Sequence, residues 1–218
     1  MPRFASARAC FVILLAIPAS ATGATSEKQA WMTQSAAVRA DKATTVMIDL
    51  SQRGRSDSRS GGEQMLQRVS VEHRIARDVD LGGGLTYVWG ESEQEMRLHQ
   101  QIVLTRGIFL FRTRMEQRFF DTADEASWRL RQRVQMALPI DTAKRWTLIA
   151  ATEFFFHLNR ARPSDKTGFA TMRQQIGLRH PLTPAIDAQL LYMRQQNFRD
   201  ARPDAVAHIP WLTLSWRL

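Results

Sequence analysis

From Trp128 to Leu138 the chain alternates with a period of two. Trp128, Leu130, Gln132, Val134, Met136 and Leu138 fall on one side, and Arg129, Arg131, Arg133, Gln135 and Ala137 on the other. A helix would scatter those arginines around its circumference, whereas a strand lines them up. The neighbouring stretch FLFRTRMEQRFF, Phe109 to Phe120, carries two signals. At helical spacing Phe111, Met115 and Phe119 make an apolar stripe, and Arg112 and Glu116 an i, i+4 ion pair. At strand spacing Arg112, Arg114, Glu116 and Arg118 share one face. Because this stretch adjoins the 128–138 strand across the turn-like DTADEA, a second strand is the simpler reading.

The alternation recurs along the chain. Val46, Ile48 and Leu50 oppose Met47, Asp49 and Ser51, and Val69, Val71 and Ile75 oppose Arg68, Ser70, Glu72 and Arg74. Similar segments surround Leu85 to Trp89, Met96 to Leu104, Trp146 to Phe156, Met172 to Leu178 and Ile186 to Tyr192. The pattern predicts an all-β chain of about ten strands from Thr44 to Leu218, each near the roughly 9–11 residues of a tilted membrane strand. Long polar connections (GRSDSRSGGEQ, NRARPSDKTG, FRDARPDAVA) are interspersed with short ones (ARDVD, TRG, HPLTPA). A bacterial outer-membrane barrel alternates outer loops and periplasmic turns in that way. Ala30 to Ala40 is left over: a periplasmic extension, part of the first strand, or a sign of twelve strands.

The two ends change the picture from fold to location. MPRFASARACFVILLAIPASATGA joins a basic start (Arg3, Arg8), a short apolar run from Ala9 to Ile17, and small residues suited to cleavage after Ala21 or Ala24. This is the layout of a secretory signal, and the apolar run is shorter than the roughly 20 residues of a spanning helix. The expected division is therefore a signal peptide at 1–24, an N-terminal segment at 25–43 and a barrel at 44–218. Cys10, the only cysteine, lies inside the signal, so the exported chain forms no disulfide. The last residues place Leu212, Leu214, Trp216 and Leu218 on one face of an alternating strand. That resembles the C-terminal signal by which outer-membrane proteins are recognised for assembly, although Leu218 stands where an aromatic is usual.

The full chain has a net charge of +9, of which the signal supplies two. An exported protein rarely meets nucleic acid, so the surplus points elsewhere. Lys28, Lys42, Lys144 and Lys166 all fall outside the strands assigned above, whereas many arginines fall within them. A soluble barrel dresses its exterior with Lys and Glu, while a crowded polar lumen suits the planar arginine fork. Trp128, Trp146 and Trp216 near strand ends on the apolar face fit interfacial girdles. An antiparallel up-and-down transmembrane barrel is favoured over a soluble periplasmic binding barrel.

Five blocks, FRTRMEQRFF, WRLRQRVQMALPI, ATEFFFHLN, MRQQIGLRHPL and LLYMRQQ, resemble successive parts of the bacterial family named domain of unknown function 2490. The resemblance runs from about Met65 to Leu218. It implies an outer-membrane β-barrel and brings neither a reaction nor catalytic residues.

Adjacent strands would gather Arg112, Arg114, Glu116, Arg118, Arg129, Arg131, Arg133, Glu153, His157, Arg173 and Arg179 on the inner face. Such charges must pair to be tolerated. The first reading is a structural plug network, because small barrels are filled by their own side chains. The second is a small anion-selective pore lined by arginines. A lipid- or peptide-hydrolysing enzyme is third: His157, Glu153, His99 and Glu95 lack a positioned nucleophile, and Asp121, Asp124 and Glu125 sit in an ordinary loop. No enzyme activity, metal or cofactor is expected, since the five histidines have no ligand spacing. The expected partners are outer-membrane lipid, and periplasmic chaperones and the barrel-assembly machinery during biogenesis. Oligomeric state stays open.

Overall fold

A computed structural model describes residues 24–55, 62–200 and 203–218. The proposed signal peptide lies almost wholly outside the described residues. Eleven strands run as β1 (Thr25–Arg39), β2 (Thr44–Arg55), β3 (Gln64–Ala76), β4 (Val79–Gly90), β5 (Gln94–Arg106) and β6 (Phe109–Phe120). They continue as β7 (Ser127–Pro139), β8 (Thr147–His157), β9 (Gly168–Thr183), β10 (Ile186–Asn197) and β11 (Ala205–Arg217). Each strand pairs antiparallel with the next, and β1 pairs parallel with β11 to close the barrel.

Two expectations are corrected here. The segment 25–43, set apart from the barrel in the sequence reading, holds β1, a full wall strand, so the barrel begins at Thr25 rather than Thr44. The up-and-down antiparallel order holds everywhere except at the closure, where an odd strand count makes the first and last strands point the same way. β1 escaped the sequence reading because Trp31, Thr33, Ser35 and Ala37 alternate with Met32, Gln34, Ala36 and Val38. Both faces mix apolar with small neutral residues, so a period of two leaves no contrast.

The seam is held by more than its ladder. The Trp211 indole donates to Thr33 Oγ1 at 3.0 Å, and Trp31 meets Trp211 edge-on at 5.5 Å. The parallel register skips Gln29 and Ala30, opposite Ile209 and Pro210. Pro210 has no N–H to give, which accounts for a break at that point.

Connections 40–43, 77–78, 107–108, 140–146 and 184–185 share one rim with the end of β11. The strand ends Arg55 and Gln64, Gly90 and Gln94, Phe120 and Ser127, His157 and Gly168, and Asn197 and Ala205 lie at the other rim with the start of β1. By sequence length most connections of the first rim are shorter than those of the second, although 140–146 is longer than 91–93. In the 40–43 turn Asp41 Oδ1 accepts from the amides of Ala43 at 2.7 Å and Thr44 at 2.8 Å. In the 140–146 turn the Asp141 carboxylate accepts from the amides of Trp146 and Arg145. The Ala43 amide, with Thr44, holds the Asp41 carboxyl below the usual carboxylate range, and the Trp146 amide does the same for Asp141.

Carboxyls lowered on folding stabilise these turns fully above the unfolded pKa of about 4 and lose that contribution as pH falls through the folded value. Amide-exchange protection at Ala43, Thr44 and Trp146, corrected for intrinsic rates, is expected to fall on acidification below about pH 4. Protection that stays flat there would remove the carboxylate caps from the account.

Candidate functional site: the arginine-lined lumen

Strand parity sorts the side chains into two surfaces. Outward lie Ile48, Leu50, Val69, Leu85, Ile102, Phe111, Ile176, Leu190 and Leu212, each more than a third exposed. Trp89, Trp128 and Trp146, also outward, sit at or near strand ends. Leu214 and Trp216 share the outward face of β11, and Leu218 follows the strand. Inward lie buried polar and charged groups, among them Glu95, His99, Arg114, Glu116, Arg129 and Glu153.

Glu116 on β6 and Glu153 on β8 anchor one wall. Arg131 on β7 bridges them, donating from Nη1 to Glu116 Oε1 at 2.6 Å and from Nη2 to Glu153 Oε1 at 2.7 Å. Arg112 reaches the same Glu153 oxygen at 2.7 Å, and Arg129 Nε reaches Glu116 Oε2 at 2.7 Å. Arg118 and Arg97 close on Glu95. These bonds join strands that are neighbours or next-neighbours, so the network runs along the wall.

Arg68 pairs with Asp49 at 2.6 Å, whereas three other arginines take glutamine as their nearest acceptor, with Glu116 3.8 Å from Arg114 and Glu153 3.9 Å from Arg133. Arg114 donates to Gln101 at 2.8 Å, Arg133 to Gln175 at 2.8 Å and Arg173 to Gln195 at 2.7 Å. The Arg173 guanidinium lies 4.7 Å from the Phe155 ring centre and 5.2 Å from that of Trp31, while Arg53 lies 3.9 Å from Trp31. These are distances at which a cation is attracted to a ring face. The Nε atoms of Arg53 and Arg112 are shielded from solvent without a bond partner, as is Nε2 of His99. The ring of His99 fits because Gly84 faces it: a Cβ there would meet His99 Cε1 at 2.8 Å and collide with the Val69 carbonyl.

Two chambers lie within this lining. One of about 140 Å³ is bounded by Trp31, Asp49, Arg53, Arg97, Arg114, Glu116, Arg129 and Phe155 among others. The other, of about 290 Å³ towards the short-turn rim, is bounded by Glu72, Leu110, Arg112, Arg133, Gln135, Glu153 and Gln175 among others. Arg68, Arg131, Arg173 and Trp211 border both chambers. Nine arginines (53, 68, 97, 112, 114, 129, 131, 133 and 173) face four carboxylates (Asp49, Glu72, Glu116 and Glu153) across these chambers.

Of the residues expected inside, Arg112 to Arg133 and Glu153 form one cluster, and Arg173 adjoins it across Phe155. His157 shares their face at the long-loop end, where Nδ1 lies 3.2 Å from the Lys166 carbonyl oxygen. Arg179 is not brought in. It keeps the right parity, but six residues along β9 carry it roughly 20 Å from Arg173, to an exposed position beside Thr147 at the short-turn mouth. Sequence reasoning passed over Trp31, Asp49, Arg53, Arg68, Glu72 and Arg97. Asp49, Arg68, Glu72 and Arg97 stood on the polar side of their strands and could have been added; Trp31 and Arg53 lay beyond any strand then assigned. Among the described residues no group of three or more His, Cys, Asp or Glu is placed to hold a metal ion.

Residues 28–206 match the family described as protein of unknown function DUF2490. The chain belongs to this family. An uncharacterized protein of Methylorubrum extorquens is 31% identical over 165 residues, spanning 70% of this chain and 72% of that protein. The crystal structure of the NanC porin superposes with a TM-score of 0.56 over 82% of this chain and 92% of the porin. At 9% identity this is a likeness of fold. The DUF2490 chain is thus a closed β-barrel whose fold resembles that of this porin.

Proposed function

We propose that this DUF2490 barrel spans the outer membrane of a bacterium and that its lumen is a path for small anions. An apolar outer wall with a charged interior is the polarity of a membrane barrel and the reverse of a soluble one. The porin-like fold supports the same reading. The observation that carries the anion path is the imbalance across the chambers, nine arginines against four carboxylates. Arginine-lined constrictions favour anions. The carboxylates are spent on bracing the wall, which leaves Arg53 and Arg173 directed at the space around Trp31 without an acid of their own.

Two measurements test this together. The protein is expected to sediment with outer membranes and to migrate differently on gels before and after boiling. Recovery in the soluble periplasmic fraction would overturn the membrane reading. Purified barrel in planar bilayers is expected to carry steady current. A folded barrel that passes none would be the plugged scaffold, with the arginines serving only to hold the wall.

A further inference from the structure

One register row crosses the outer wall from rim to rim. It starts at the 77–78 turn with Ala76 and Val79, then passes through Leu104, Phe111 and Val134, all apolar. It continues through Thr152, Gln174, Arg194 and His208 and ends at Lys28, three residues from the start of β1. Residues paired across a ladder point to the same side, so Arg194, His208 and Lys28 stand abreast on the outward face of β10, β11 and β1. At a strand tilt of about 40°, each step along such a row climbs ~3 Å. The row therefore rises from the short-turn rim to the long-loop rim and turns basic only in its upper part.

The placement is selective. Among the described residues, the only other Lys or Arg on the outward face of a strand is Arg106, at the last position of β5 on the opposite rim. Behind the basic row polarity is inverted: Trp31, Met193, Ala207 and Ile209 turn inward and form a buried apolar cluster. Arg194 gives Nη2 to Gln196 Oε1 at 3.0 Å, while its Nη1 is shielded from solvent without a partner. His208 Nδ1 lies 2.5 Å from the Tyr192 hydroxyl, which fixes the ring between the two cations.

We propose that Arg194, His208 and Lys28 form a docking site for the phosphate of an anionic lipid in the outer leaflet. This rests on the membrane reading given above. Its row lies three residues inside the long-loop ends of β10, β11 and β1, and it offers two cations and an imidazole on adjacent strands, the charge that a headgroup phosphate pairs with. It also spans the β10–β11–β1 seam, where the parallel ladder has its gap. A bound headgroup would add a contact across β11 and β1 beside the two positions where their ladder is interrupted.

The test uses the exported full-length barrel folded in a nonionic detergent, with a heat-dependent gel shift confirming the fold and, separately, the membrane reading. Bound lipid is counted by native mass spectrometry on titration with bis-phosphorylated lipid A or with phosphatidylcholine. Lipid A is expected to be retained at a concentration roughly tenfold or more lower, from about one factor of five per cation. Arg194→Gln with Lys28→Gln should remove most of that preference. Equal retention of the two lipids by the unsubstituted barrel would overturn the proposal whether or not the variant folds. So would a preference that survives the double substitution, or a dimer that the substitution abolishes, which would make the row a contact between copies. A missing gel shift would instead count against the membrane reading.

Discussion

Glu153→Ala is expected to destabilise the folded barrel by about 3–5 kcal/mol, the range for removing one partner of a buried charge cluster. The Glu153 side chain is 2% exposed and takes hydrogen bonds from Arg112 and Arg131, with Arg133 at 3.9 Å. Truncation leaves three guanidinium groups on neighbouring strands without the carboxylate that offsets their mutual repulsion. Glu153→Gln keeps the shape and an acceptor but not the charge, so a loss nearly as large as that of alanine would show that charge carries the effect. Urea unfolding in detergent, followed by the gel shift, reads both. A loss below about 1 kcal/mol for Glu153→Ala would mean that the wall holds without its ion pairs.

Arg53→Gln and Arg173→Gln together are expected to lower chloride-over-potassium selectivity by about two- to tenfold while leaving the barrel folded. At roughly 10 Å and an effective dielectric of about 20, one fixed charge shifts a passing anion by ~1–2 kcal/mol, and lumen salt screens part of it. Neither residue has an ion pair of its own in the cluster: Arg173 bonds Gln195, and both lie over Trp31. Arg131 is the poorer choice for this purpose, because it carries both Glu116 and Glu153 and its loss would test stability instead. Selectivity measured from reversal potentials checks the pair, and an unchanged value would place the permeating ions elsewhere.

Sequence periodicity is an uneven witness, and the reasons are physical. FLFRTRMEQRFF was legible as a strand because its two faces meet different surroundings, charges inside and aromatic rings outside. β1 was illegible because its faces hardly differ, and with it went the odd strand count and the parallel seam. The inner charges, Arg179 included, share one strand parity, but parity carries no height, and Arg179 lies at the short-turn mouth away from Arg173. The lysine rule failed at one place with consequences: Lys28, read as lying outside the strands, stands on the outer wall of β1 beside His208. Glu116 and Glu153 could be nominated from alternation alone. Which arginines they hold, and which they leave unpaired, depends on pairing across β6, β7 and β8.

The proposed function has anions crossing the lumen past Arg68, Arg131 and Arg173, which border both chambers. The most direct measurement is the reversal potential of the unsubstituted barrel in a planar bilayer under a KCl gradient. A potential of the sign set by chloride is expected, diminishing as salt is raised on both sides. A potential of the potassium sign, or no current from barrel shown to be folded by its gel shift, would contradict it.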